Sequence, residues 1–284
     1  MRTGTLLLVA TLCLWGRAAL GQCRPPHDSH EARLLAFYSV PIVFSTDPGT
    51  IGLPAGAIRL SGEGVYVPTP SATLQQTSDC YAGKPDHTNL TPFFGRLRLA
   101  IGLPDGFGAE VSYLPPITFA DATPNLAWAA LWFSRSVSDN VDVTVRANMT
   151  SGVVHGPITC PRNALQQQNP TAPCYGTVPS RDAFRPDMFG GELLASLSPG
   201  GRSSRLRLSA GVGANALRPR FQVDFTDLAG TTDRTSILVN LSRVTGFAAA
   251  TIKVSSRCDV STQGFASFGD VATIRGIVGC ALRR

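Results

Sequence analysis

The sequence predicts an all-β protein, an antiparallel transmembrane β-barrel of about 10–12 strands with a short N-terminal helix. Three observations predict this class. Apolar and polar residues alternate with a period of two in many short segments, as in strands with two different faces. After residue 21, no apolar run reaches the roughly 18 residues that a membrane helix needs. Only 15% of the 284 residues are charged, whereas an average soluble domain has roughly 25%.

The first residues predict an export signal. Arg2 supplies the positive end, residues 6–15 supply a short apolar run, and residues 19–21 supply small side chains at the cleavage position. We therefore expect residues 1–21 to be a signal peptide. A lipidation site at Cys23 is the alternative, because the residues before that cysteine partly resemble a lipobox.

The net charge is modest. It is +6 for the whole sequence, and the loss of Arg2 and Arg17 with the signal would leave +4. No run rich in Lys or Arg accompanies this small excess, so the sequence argues against a nucleic-acid partner.

Six cysteines follow the predicted signal, at Cys23, Cys80, Cys160, Cys174, Cys258 and Cys280. An even number in an exported chain suggests disulfide bonds. Cys160 and Cys174 flank a segment rich in Pro and Gln, and they are the predicted pair, closing a loop of about 15 residues. The other pairings cannot be derived from the sequence. No Cys/His spacing matches a zinc site, so no metal is predicted.

Eleven segments are predicted as strands of a barrel that occupies residues 51–284. Clear alternation is found in residues 96–101, 142–146, 205–210, 220–226, 236–242, 251–255 and 273–275. Less regular strands are predicted at residues 57–67, 107–114, 126–134 and 188–197. Turn signals rich in Gly, Pro, Asp and Asn separate many of them.

A helix is predicted before the barrel, within an N-terminal region of residues 22–50. Asp28 is the predicted N-cap, with Glu31 three residues on. Three apolar side chains then share one helical face: Leu34, Leu35 and Tyr38. Pro41 is expected to stop the helix. This region is expected either to plug the barrel or to form an arm that packs elsewhere.

Two environments explain the alternation. In a secreted, disulfide-bonded β-sandwich the apolar faces form a core and the polar faces meet water. In a membrane barrel the apolar faces meet lipid and the polar faces line the interior. Small aliphatic side chains, polar faces rich in Arg, and short turns alternating with a long segment at residues 154–187 favour the barrel. The sandwich, a binding module, remains the alternative.

The polar faces supply the candidate site residues. The barrel predicts that the lumen is lined by Arg96, Arg98, Glu110, Asp142, Arg146, Glu192, Arg205, Arg207, Arg220, Asp224, Lys253, Arg257 and Arg275. Bases outnumber acids in this set by nine to four. Either the pairs of basic and acidic side chains fill and close a narrow barrel, or the surplus of positive charge attracts anions into a pore.

These features, together with residues 29–38 and the polar-lined last strand, resemble small Gram-negative outer-membrane barrel proteins. They are more distantly similar to barrels that carry hydrophobic compounds, such as the fatty-acid transporter family, which also place an N-terminal segment in the barrel. The resemblance covers the architecture of residues 50–284. It implies an outer-membrane location, outer-membrane lipid as a partner, and passive transport or binding of small hydrophobic or anionic solutes. Such barrels usually end on an aromatic residue, whereas this chain ends on Arg284.

No catalytic motif is present in the sequence. A complete nucleotide-binding glycine loop, a G-x-S-x-G elbow and a zinc-protease helix are all absent. His27 and His30 could share a metal, but we interpret them as part of a solvated helix start. The protein is therefore predicted not to be an enzyme and to have no cofactor. The number of subunits is not predicted.

Overall fold

The computed structural model describes residues 21–75, 80, 92–119, 121–201 and 204–283. The predicted signal peptide therefore lies outside the described residues, except for Gly21. Within the described part of the chain, ten antiparallel strands form a closed barrel. They are β1 (Ile58–Tyr66), β2 (Phe93–Gly102), β3 (Phe107–Leu114), β4 (Thr123–Ser136), β5 (Val141–Gly156), β6 (Met188–Leu197), β7 (Leu206–Leu217), β8 (Leu241–Lys253), β9 (Cys258–Ser267) and β10 (Val271–Arg283).

Each barrel strand pairs with the next along the chain, and β10 pairs with β1 over residues 274–283 and 58–66. The sheet therefore has no free edge along its wall. This closure confirms the predicted barrel, and the β-sandwich alternative is wrong because the strands form one sheet closed on itself rather than two stacked layers.

The two faces of the wall have opposite character. On β2, Arg96 and Arg98 are buried, whereas Leu97 between them is 66% exposed. The same alternation follows the neighbouring strands, with Glu110 inside and Val111 outside on β3. Polar residues inside and apolar residues outside are the distribution of a barrel that spans a bilayer. Among the described residues, no helix has the length and apolarity needed to cross a membrane.

The connections differ between the two ends of the barrel. At one end, which we call the short-turn end, residues 103–106, 137–140, 198–205 and 254–257 join the strands. At the other, the long-loop end, the connections include residues 67–92, 157–187 and 218–240. Strand β10 ends at the short-turn end. In membrane barrels, short turns face the periplasm and longer loops face outward.

Two predicted wall strands lie outside the wall. Residues 220–226 and most of residues 236–242 belong to the connection between β7 and β8, where Arg220–Gln222 and Ser236–Leu238 pair with each other. Their alternation has another cause, because Phe221 and Ile237 are buried in the cluster at the long-loop end while the opposite face is exposed. An alternating pattern cannot distinguish this environment from a barrel wall.

The sheet at the long-loop end extends from the barrel. Asp182–Arg185 pairs with the end of β5 at residues 154–156 and, on its other side, with Arg220–Gln222. Gln22–Cys23 pairs in parallel with Ser236–Leu238. A separate pair is formed by Phe225–Thr226 and Thr232–Asp233. Short 3-10 turns are found at Val40–Ile42, Pro48–Thr50, Pro104–Gly106 and Arg162–Ala164.

One wall strand was not predicted. Strand β9 has small residues on its outer face, including Gly264 and Ala266, and polar residues such as Gln263 on its inner face. Val260 is the one large aliphatic side chain of this strand and Phe265 lies on the inner face, so the sequence carries no clear apolar alternation there.

The predicted helix is present as α1, His30–Ser39. Its N-cap is Ser29 rather than the predicted Asp28, because the Ser29 hydroxyl accepts a hydrogen bond from the Ala32 amide at 3.1 Å. The helix ends before Pro41, and the 3-10 turn Val40–Ile42 follows. Helix α1 packs into the apolar cluster of the long-loop end, where Phe37 is buried with Phe184.

Three disulfide bonds join the described cysteines. Cys160 is bonded to Cys174, as predicted, and the other pairs are Cys23–Cys80 and Cys258–Cys280. The loop closed by Cys160 and Cys174 is anchored by Asp182, which accepts hydrogen bonds from Thr159 and Ser180. Burial raises the pKa of the Asp182 carboxyl above its ordinary value, and these hydrogen bonds only partly offset that shift.

The outer face generates a stability prediction. Val212 lies halfway along β7 with its side chain 57% exposed on the outer face. We expect Val212→Arg to lower the free energy of unfolding by about 2–4 kcal/mol, because the cation would lie in hydrocarbon. Urea titration of protein refolded in lipid vesicles measures this. The control is Val137→Arg in a short turn, which should have a much smaller effect; equal losses would contradict a membrane-facing wall.

Candidate functional site

The interior of the barrel is occupied by the protein's own chain. After α1, residues 40–50 run from the long-loop end through the lumen to the short-turn end, where β1 begins; we call them the lumen segment. The side chains of Val43, Phe44, Ser45 and Asp47 in this segment are fully buried. Hydrogen bonds join the lumen segment to β1, β2, β4, β5, β6, β9 and β10, so the segment is surrounded by the wall.

Glu63 is at the centre of a network of charges inside the wall. Its carboxylate accepts hydrogen bonds from Arg96 Nε at 2.8 Å, Arg98 Nη1 at 2.7 Å and Arg275 Nη1 at 3.2 Å. All four side chains are fully buried. Charge-assisted hydrogen bonds of this kind are the strong class of hydrogen bond in proteins.

The network continues across β3, β5 and β6. Glu110 accepts from Arg98 Nε at 2.7 Å and from Arg146 Nη2 at 3.1 Å. Arg146 Nη1 also lies 3.2 Å from Glu192, which in turn accepts a hydrogen bond from the Thr46 hydroxyl of the lumen segment. Each arginine bonds either two carboxylates or one carboxylate and the lumen segment. Removal of one side chain would therefore leave other buried charges without a partner.

The same arginines hold the backbone of the lumen segment. Arg96 donates to the carbonyl oxygens of residues 42 and 43, and Arg98 donates to that of Ser45 at 2.7 Å. Arg275 donates to the carbonyls of residues 41 and 43, and Arg146 to that of Phe44. Buried carbonyl groups of a chain without regular secondary structure need such partners. The wall supplies them through guanidinium groups.

The Phe44 ring lies among three of these guanidinium groups. The carbon at the centre of each group is 5.0 Å from the ring centroid for Arg96, 4.5 Å for Arg98 and 4.8 Å for Arg146. The attraction of a cation for the face of an aromatic ring is stronger when water is excluded. Phe44 therefore contributes to holding the arginines as well as to filling the lumen.

A second set of charges lies nearer the short-turn end. Arg59 Nε lies 2.9 Å from Asp47, and Arg59 Nη2 lies 2.8 Å from Asp259. Asp47 also accepts from the Ser61 hydroxyl at 2.9 Å. The lumen segment is thus bound to the wall at both ends of its path.

The predicted charge surplus is not found inside the wall. Within the described residues, five buried arginines face five carboxylates: Arg59, Arg96, Arg98, Arg146 and Arg275 against Asp47, Glu63, Glu110, Glu192 and Asp259. The sequence-based count differs because it omitted Arg59, Asp47, Glu63 and Asp259, and because it included seven residues that lie at the mouth or beyond the wall. The polar positions 59, 61 and 63 alternate with Leu60 and Gly62, a signal that could have identified Glu63. No sequence pattern marks Phe44 or Asp47.

The predicted lining residues fall into three groups. The network described above contains Arg96, Arg98, Glu110, Arg146, Glu192 and Arg275. The mouth at the short-turn end holds Asp142, Arg205, Arg207 and Lys253, with Arg257 nearby. Arg220 and Asp224 do not line the lumen. They are exposed beyond the wall at the long-loop end, where Phe221 and Val223 take the inward positions.

An apolar cavity of about 850 Å³ lies at the long-loop end. Its lining includes Tyr38, Pro41 and Ile42, which belong to the end of α1 and the start of the lumen segment. The walls come from β2 to β5 and from residues 67–70, 115–119 and 122. No charged side chain is among the described residues that line it. Ile117 and Phe119 on the lining are 68% and 71% exposed, so the cavity opens to the outside.

Comparisons with known proteins gave structural neighbours only. No family model and no curated protein matches the sequence. The P. putida toluene transporter TodX is 13% identical, with a TM-score of 0.37, over 85% of this chain and 72% of that one. The translocator domain of the autotransporter NalP from Neisseria meningitidis is 7% identical, with a TM-score of 0.36, over 90% and 98% of the two chains. The KdgM porin, in complex with disordered oligogalacturonate, is 10% identical, with a TM-score of 0.32, over 80% and 99%. At identities this low the similarity does not extend to function.

The network predicts the effect of losing its central carboxylate. Glu63→Gln should lower the free energy of unfolding by about 3–5 kcal/mol, because three buried guanidinium groups would lose their shared negative partner. Urea titration in lipid vesicles measures the loss. The control Asp139→Asn changes a carboxylate in an exposed turn and should leave the unfolding midpoint unchanged. A Glu63→Gln midpoint equal to that of the control would show that the network does not stabilise the fold.

Proposed function

We propose that this protein is an outer-membrane barrel that binds a small hydrophobic solute at its long-loop end, above a lumen closed by its own N-terminal segment. The membrane location is supported by the apolar outer wall and the polar interior. Export by the predicted signal at residues 1–21 is consistent with this location. The single observation that carries the binding proposal is the apolar cavity of about 850 Å³.

The cavity has the properties of a ligand site. Its volume is in the range of about 300–1,000 Å³ that is typical of sites for small molecules. Its lining is dominated by Pro, Phe, Leu, Ile and Val, and its few polar groups include Thr69 and Tyr38. A solute recognised here would be apolar, since any charged group would lose its water without gaining a partner.

A purely structural barrel is the second candidate, because the charge network alone accounts for a filled lumen. The cavity favours binding over that role. An exposed apolar concavity of this size is typical of a ligand-binding site, and a purely structural barrel does not need one. Apolar side chains also continue onto the exposed rim, at Phe93, Ile117 and Phe119, where a solute would enter.

The lumen segment opposes transport of a solute through the barrel. Free diffusion through the lumen is opposed by the buried residues 43–47, which bind to strands on every side. The bound solute is therefore held above the lumen segment, with Ile42 and Pro41 beneath it. Passage toward the short-turn end would require the segment to leave its arginine partners.

Naphthalene is a suitable apolar probe of the cavity. We expect saturable binding to the protein in lipid discs, followed by the fluorescence of the probe. Ile42→Gln combined with Leu114→Gln should weaken binding about tenfold, because two apolar lining residues become polar. The control Val178→Gln, on an exposed loop outside the cavity, should bind like the unmodified protein.

Partition of naphthalene into the lipid is the same for all these proteins, so differences between them report on the cavity. Binding that is absent in the unmodified protein, or equal in the double variant and the control, would contradict the proposed function while leaving the barrel fold unaffected.

A further inference from the structure

A second cavity, of about 360 Å³, lies at the short-turn end. It is bounded by residues 49–57, which follow and include the end of the lumen segment, and by the ends of β7 to β10 and β1. Among the described residues, five basic side chains line it: Arg59, Arg205, Arg207, Lys253 and Arg257. The one acidic side chain in this described lining is Asp259.

The positive charge of this cavity is only partly balanced. Arg59 is paired with Asp47 and Asp259, and Arg207 lies 3.9 Å from Asp142. Among the described residues of this cavity, Arg59 and Arg207 therefore have carboxylate partners. Within the described residues, Arg205 and Arg257 form no ion pair, and both are exposed at the opening. Two further acids, Asp105 and Asp139, are on the turns after β2 and β4, on the other side of the barrel mouth.

Arg207 is held in position by backbone carbonyl groups at the end of the lumen segment and just after it. Its Nη1 donates to the carbonyl oxygen of Ile51 at 2.9 Å and to that of Pro48 at 3.3 Å. About one fifth of its side chain remains exposed. A guanidinium held in this way loses little further freedom when it binds a ligand, and its fork of donors matches the oxygens of carboxylate or phosphate.

We propose that this basic cavity is a binding site for a small anion that carries a phosphate or carboxylate group. The concave shape concentrates the potential of these cations, and low-dielectric walls strengthen it. An anion here would reduce the repulsion between the basic side chains. The site is separate from the apolar cavity, which lies at the opposite end of the barrel.

Two sources can supply this chemistry, a free anion on the short-turn side or the phosphate of a lipid headgroup. The volume of about 360 Å³ suits a small molecule or a single headgroup. The test uses inorganic phosphate as the probe. Heat of binding is measured at low salt for the full-length protein in discs of phosphatidylcholine, and again in discs that also contain phosphatidylglycerol.

The variant Arg205→Gln with Arg257→Gln removes two exposed cations of the cavity. The matched control is Arg135→Gln, since Arg135 is exposed at the same end, on β4, but does not line the cavity. Heat-modifiable mobility on a gel verifies that each barrel is folded. We expect phosphate to bind the unmodified protein and the control equally, and the double variant about tenfold more weakly.

The lipid comparison identifies the source. Equal phosphate binding in both kinds of disc indicates a free anion, and binding suppressed by phosphatidylglycerol indicates a headgroup; each supports the site. The proposal is overturned if phosphate does not bind the unmodified protein in phosphatidylcholine discs. It is also overturned if the double variant binds as well as the control.

Discussion

Buried arginine charge is the constraint on which this structure depends. The wall directs guanidinium groups into a space that excludes water, where an unpaired charge is very costly. Three glutamates on the wall offset part of that cost, with Glu63 shared by three arginines. Asp259 of the wall is a further partner, and the others come from the lumen segment, through its carbonyl oxygens, Asp47 and the ring of Phe44. The wall therefore supplies hydrogen-bond donors for the lumen segment, and the lumen segment supplies partners for the buried arginines of the wall.

This constraint also determines where a solute can bind. Because the middle of the barrel is filled by paired charges and by the chain itself, open space is left at the two ends. The apolar cavity lies at the long-loop end, and the basic cavity lies at the short-turn end. The lumen segment contributes to both, through Ile42 at one and Gly49 at the other. A movement of this segment would alter both cavities together.

Much of the barrel could be predicted from the sequence because period-two alternation specifies which side chains share a face. Arg96 and Arg98 were placed inside for this reason, and the helix followed from its apolar face. Residues 220–226 alternate equally well but cover an apolar cluster beyond the wall. The pattern therefore predicts extended structure there but not the environment of the two faces. The partners of the arginines were harder to predict. Ser45, whose carbonyl oxygen accepts a hydrogen bond from Arg98, lies 53 residues from it in sequence, and no local pattern shows that residues 43–47 enter a barrel.

The most direct test of the central claim is the accessibility of the lumen segment. The six described cysteines are paired in disulfides, so a new cysteine provides a unique free thiol. Ser45→Cys introduces it at a fully buried position in the segment, and Ser138→Cys introduces it in an exposed short turn. We expect a water-soluble maleimide to label position 138 rapidly in the folded barrel, and position 45 only after unfolding. Equally rapid labelling of both positions in the folded protein would show that the segment does not occupy the lumen.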